Sequence, residues 1–78
     1  MRLLVRNMSR KTTEEDLRDL FDSFGSVQSC VIVNDADTGA SKGFGFVDMP
    51  KPGDAKAAIH HLNGYELDGE VLRVKRSK

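Results

Sequence analysis

The spacing of apolar positions shifts repeatedly along this chain, and each shift predicts an element. Leu3, Leu4 and Val5 form a short aliphatic run between Arg2 and Arg6, which suits a strand. Thr12 to Asp16 then carries helix-start chemistry: Thr13 suits an N-cap, and Thr12 with Glu15 suits a capping box. The acids of that turn favour the positive end of a helix dipole. Leu17, Leu20, Phe21 and Phe24 recur at helical spacing, predicting an amphipathic helix with one buried stripe. Gly25 stands where a left-handed cap is expected to end it.

A second strand is predicted from about Val27 to Asn34, with Cys30 and Ile32 on one face and Val31 and Val33 on the other. Residues 35–41 read as a polar turn in which Gly39 takes a positive φ. An aromatic strand follows at about 43–49, antiparallel to its predecessor, and Pro50 and Pro52 end it. Ala55, Ala58, Ile59 and Leu62 predict a second helix from about Pro52 to Leu62. Asn63-Gly64 closes that helix, Asp68-Gly69 makes a turn, and a last strand is predicted from about Val71 to Arg76. The order β-α-β-β-α-β is the split βαβ arrangement, an α+β ferredoxin-like sandwich. It implies a four-stranded antiparallel sheet with both helices on one face and the other face open. Its central strands are expected to be the first and third, which sets Leu4 beside Phe44 and Phe46.

The residues that fall on the open face are unusual. In the stretch Lys42 to Met49, Phe44 and Phe46 are two apart and share a face, while Gly45 and Val47 point to the helices. Lys42 sets a positive charge at the end of the pair. Phe21 and Phe24, by contrast, have the helical spacing of core residues. Asp48 shares the parity of the two strand phenylalanines. It is read either as an acceptor for an amino group or as a limit on the approach of anions.

Composition narrows the class of protein. A chain of 78 residues forms one small domain, taken here as 1–78, and 38% hydrophobic with 31% charged residues is ordinary for a folded globular protein. No apolar run approaches the roughly 20 residues that cross a bilayer, so no membrane partner is expected. A single cysteine, Cys30, forms no intrachain disulfide, and a reducing cytoplasmic location is the expectation. The formal net charge of zero is unevenly spread. Arg2, Arg6, Arg10 and Lys11 have no acid among them, and Arg73, Lys75, Arg76 and Lys78 stand against Glu70 alone. Acids gather on the first helix at Glu14, Glu15, Asp16, Asp19 and Asp22. Local patches steer a polyanion more than the sum does.

Catalytic and metal chemistry finds little support. Adjacent His60 and His61 diverge on a helix, whereas chelation there wants i and i+4. Cys30 has core-facing parity and reads as a small buried hydrophobe. Gly43 and Gly45 lack the third glycine of a dinucleotide fingerprint, and there is no P-loop. A noncatalytic domain without cofactor or metal is therefore expected.

Lys42-Gly43-Phe44-Gly45-Phe46-Val47-Asp48-Met49 matches the pattern K/R-G-F/Y-G/A-F-V-x-F/Y at each specified position but the last. With the element order, it makes the chain resemble the RNA recognition motif family over essentially its whole length. A second, shorter family motif is similar to Leu3-Leu4-Val5-Arg6-Asn7-Met8, except that Leu4 stands where the family usually has a stacking aromatic. Within the family the chain looks most like small bacterial single-motif proteins.

The resemblance implies noncatalytic binding of single-stranded RNA, with single-stranded DNA left open. Bases would stack on Phe44 and Phe46, with Leu4, Val31 and Val33 giving apolar contact. Lys42, Arg2, Arg6, Arg73 and Lys75 would meet phosphates, with Asp48 at the margin. Two stacked bases contribute roughly 2–6 kcal/mol, and a micromolar complex needs about 8 kcal/mol. Micromolar or weaker binding is expected, and a monomer. The second reading is a protein-interaction module that binds a peptide on Leu4, Val31, Val33, Phe44 and Phe46.

Overall fold

In the structure, a computed structural model that describes residues 1–77, the first three elements are β1 (Arg2–Arg6), α1 (Glu14–Asp22) and β2 (Ser29–Asn34). They are followed by β3 (Ser41–Asp48), α2 (Pro52–Leu62), β4 (Glu66–Leu67), β5 (Glu70–Val71) and β6 (Arg73–Ser77). The main sheet has the order β2-β3-β1-β6 and is antiparallel throughout. β1 and β3 are central, as the element order predicts, and the fold is the ferredoxin-like split βαβ sandwich. Both helices pack on one face.

Alternation along the strands explains the burial. Leu3 and Val5 of β1, Cys30 and Ile32 of β2, Val47 of β3 and Val74 of β6 point into the core. Leu17 and Phe21 of α1 meet them, with Ala55, Ala58 and Leu62 of α2. Ala55 and Ala58 are fully buried, so α2 presents small side chains to the sheet. Met49, the one departure from the octapeptide pattern, is fully buried and takes no part in the open face.

Several local expectations shift. Thr13 caps α1, but the capping box pairs it with Asp16: the Thr13 hydroxyl accepts the Asp16 N–H at 3.1 Å, and the Asp16 carboxylate accepts the Thr13 N–H at 3.2 Å. Thr12 is unavailable for the expected pairing with Glu15, because it is buried and its hydroxyl donates to Asp68 at 2.7 Å. α1 ends at Asp22 with Ser23 as C-cap, and the Phe24 N–H bonds back to the Phe21 carbonyl at 3.0 Å. Gly25 is therefore not a left-handed cap. It is needed because a Cβ there would collide with the Asp54 side chain.

β2 starts at Ser29 rather than Val27, and β6 at Arg73 rather than Val71. The intervening residues form an unexpected hairpin of β4 and β5, in which Asp68 (φ 52) and Gly69 (φ 84) supply the two positive φ values of a tight turn. Strands of two residues are too short to show a period.

Candidate functional site

Register places the open-face side chains in rows. Val31, Phe46, Leu4 and Lys75 are successive Cα partners across β2, β3, β1 and β6, so they form one row over the full width of the sheet. The neighbouring row is Ser29, Asp48, Arg2 and Ser77. On the other side Arg6 pairs with Arg73, and Phe44 lies two residues along β3 from Phe46. Phe44, Phe46, Leu4 and Asp48 are partly buried, while Val31 is 46% exposed. Arg2, Arg6, Lys42, Arg73 and Lys75 are exposed around them.

Phe44 and Phe46 meet edge to face, with centroids 6.3 Å apart and planes at 85°. Both residues are only partly buried, so the pair keeps part of its surface exposed on the open face. The Arg2 guanidinium lies 5.0 Å from the Phe46 centroid, a cation–π contact that occupies part of that ring. Arg2 is thus at the aromatic centre, not only at its rim. Asp48 lies 4.0 Å from the Met1 amino group, a long ion pair.

The close spacing of β2 and β3 depends on Gly45. A Cβ at this position would run into the backbone carbonyl of Val31. Further along, simple alternation fails: Ile32 pairs with Gly45 but Asn34 pairs with Ser41, so β3 carries extra residues in between. The bulge is centred on Gly43, whose φ of 79 suits glycine. Val33 falls within the irregular register and is partly buried. Lys42 reaches the Phe44 side of the sheet across a bulge, not along the regular pleat.

That bulge forms one wall of a recess of about 530 Å³. The opposite wall is the segment between β1 and α1, which brings Arg10 and Lys11 beside Arg6, Lys42 and Phe44. Arg10 and Lys11 belong to the acid-free run of the sequence, yet strand parity assigns them to no face, and the expected site omits them. The signal was present as charge; the fold-back toward Lys42 is long-range. Asn7 anchors the turn: it takes a φ of 58 and its side-chain amide donates to the Val71 carbonyl at 2.7 Å.

Other conspicuous residues lie elsewhere. Cys30 is buried, and its thiol pKa is pushed up to about 11 by burial first and by the negative charge of Glu14 second. A proton held so firmly leaves a poor nucleophile. His61 stacks on Phe24 at 5.3 Å, and His60 meets His61 edge to face. The Asp35 carboxyl is held below its usual range by the Thr38 and Asp37 backbone N–H groups, which fasten the β2–β3 turn.

Residues 3–73 match the family described as RNA recognition motif. The chain is 50% identical over 76 residues to nucleolin of Gallus gallus, covering 97% of this chain and 10% of nucleolin. It is 42% identical over 74 residues to probable RNA-binding protein 23 of Homo sapiens, covering 95% of this chain and 17% of that protein. The chain therefore spans a small fraction of these curated relatives. Among solved structures, RNA-binding protein PG1 superposes with a TM-score of 0.96 at 40% identity, covering 99% of this chain and 93% of that one. A Sex-lethal protein/RNA complex superposes with a TM-score of 0.94 at 32% identity, covering 99% of this chain and 46% of that one. The two curated relatives are eukaryotic, so they lend no support to the expected likeness to small bacterial proteins.

Proposed function

Because the chain belongs to the RNA recognition motif family, we propose that it binds single-stranded RNA noncatalytically on the open face of its sheet. The observation that carries the proposal is the row of Val31, Phe46, Leu4 and Lys75, with Phe44 set edge to face against Phe46. A partly buried aromatic pair with cations around it offers unpaired bases a π-face and their phosphates a counter-charge. Phe44 and Phe46 stack two bases. Leu4 and Val31 add apolar contact, Val33 lies at the margin, and Asp48 stands at the edge. Lys42, Arg6, Arg73 and Lys75 meet the backbone.

Arg2 has a double part in this reading. It covers Phe46 in the unbound protein, and an arriving base either displaces it or is sandwiched between guanidinium and ring. With Leu4 in place of a third aromatic, affinity is expected at the micromolar level or weaker. The names of the relatives and the RNA complex among the solved structures support RNA as ligand.

Amide chemical shifts recorded while short pooled RNA oligomers are added test the proposal. Shifts confined to β1, β2, β3 and β6, weakened by salt and lost in Phe44→Ala/Phe46→Ala, are the expected result. An unresponsive sheet overturns it and brings forward the peptide-binding reading.

A further inference from the structure

The geometry points to a second contact zone that holds backbone phosphate beyond the stacked bases: the recess between the β1–α1 segment and the Gly43 bulge. The inference rests on the RNA-binding reading and extends it to Arg10 and Lys11, which lie on no strand. Arg6, Arg10, Lys11 and Lys42 border the recess against one carboxylate, Glu70, and Phe44 forms its inner edge. Among the described residues none of the four cations is engaged in an ion pair. Glu14, which borders Arg10 and Lys11 on their other side, is turned to β2, where its carboxylate accepts the Ile32 N–H at 3.1 Å.

The segment that presents Arg10 and Lys11 is built in advance. The Met8 N–H donates to the Gly43 carbonyl at 2.8 Å, tying the segment to the bulge. The Ser9 carbonyl accepts the Thr12 N–H at 3.1 Å, and its hydroxyl accepts the Lys11 N–H at 3.2 Å. Met8, Ser9 and Thr12 are buried, while Arg10 and Lys11 between them are exposed. Buried anchors on either side of two exposed cations lower the ordering cost of holding an anion. A strand whose base stacks on Phe44 carries its next phosphate within one nucleotide of this recess, and Arg10 and Lys11 neutralise it and its neighbour.

The salt dependence of binding reads this directly. Each phosphate contact to a single strand contributes about −0.7 to the slope of log K against log salt. Fluorescence anisotropy with a degenerate pool of labelled RNA octamers should therefore give a slope flatter by about 1.4 for Arg10→Gln/Lys11→Gln. Lys51→Gln/Lys56→Gln removes the same charge beside and on α2, outside the recess, and should leave the slope near that of the unaltered protein. A slope unchanged by the Arg10/Lys11 variant, or flattened equally by the Lys51/Lys56 variant, overturns the inference while leaving base stacking intact. Octamers that fail to bind the unaltered protein overturn the RNA reading and this one with it.

Discussion

Phe21 and Phe46 are the same side chain in opposite settings. Phe21 is fully buried between α1 and the sheet, whereas Phe46 lies on the sheet's other face, partly exposed and with Arg2 5.0 Å from its ring centre. Both arise from apolar spacing, one of helical and one of strand period. The difference is what the opposite surface supplies: the buried side chains of the sheet for Phe21, and for Phe46 only exposed cations and apolar neighbours. A sheet covered on one side needs only one inward set of side chains for its core, so its outward set is free for a ligand.

Phe21→Ala is expected to have the largest effect. Emptying a fully packed site costs about 3–5 kcal/mol, a large share of the roughly 5–15 kcal/mol of a small domain. Urea denaturation should show a much lower midpoint. Phe46→Ala should reverse the balance, with about 1 kcal/mol lost in unfolding. Its RNA affinity should fall by roughly 5- to 150-fold, the equivalent of about 1–3 kcal/mol for a stacked base. If Phe46→Ala unfolds the domain as readily as Phe21→Ala, the open face is structural and the comparison fails.

Leu4→Phe acts in the other direction. Leu4 is the Cα partner of Phe46 on one side and Lys75 on the other. An aromatic ring there adds a third stacking surface and should tighten RNA binding by up to about tenfold. Titration calorimetry on the two proteins decides it, and equal or weaker binding would show that no base passes over this position.

The smallest effect concerns the covered face. Cys30 has its pKa pushed up to about 11 because burial penalises the thiolate, so the folded state retains the proton that a free thiol loses near pH 9.0. Stability linked to Cys30 is therefore undiminished below that value and declines as pH rises toward about 11. Near neutral pH a thiol reagent should label the native protein slowly and the urea-unfolded protein at the ordinary rate. Rapid labelling of native protein would mean that this side of the sheet opens.

Much of the fold was readable locally. β1 and α2 lie where their spacing predicts, from Arg2 to Arg6 and from Pro52 to Leu62, because strong apolar runs there are bounded by charge, proline and Asn-Gly. The capping box slipped by one residue because Thr12 is claimed by Asp68, 56 positions away in the chain. The β4–β5 hairpin stayed hidden because each arm has two residues. In the candidate site, parity alone set Phe44, Phe46, Leu4, Arg2, Arg6, Arg73 and Lys75 on one face. It missed Arg2 over the Phe46 ring, and it missed Arg10 and Lys11 beside Lys42.

Local sequence sets which side chains turn inward and which outward, since that depends on a two-residue or 3.6-residue period that neighbouring residues fully specify. It also marked the aromatic pair, whose members are two positions apart. The tertiary structure decided what the outward residues meet. The β1–α1 segment comes to face the Gly43 bulge through hydrogen bonds between parts of the chain that are far apart in sequence, such as Met8 to Gly43. Such contacts follow from strand order and loop closure, and no local period encodes them.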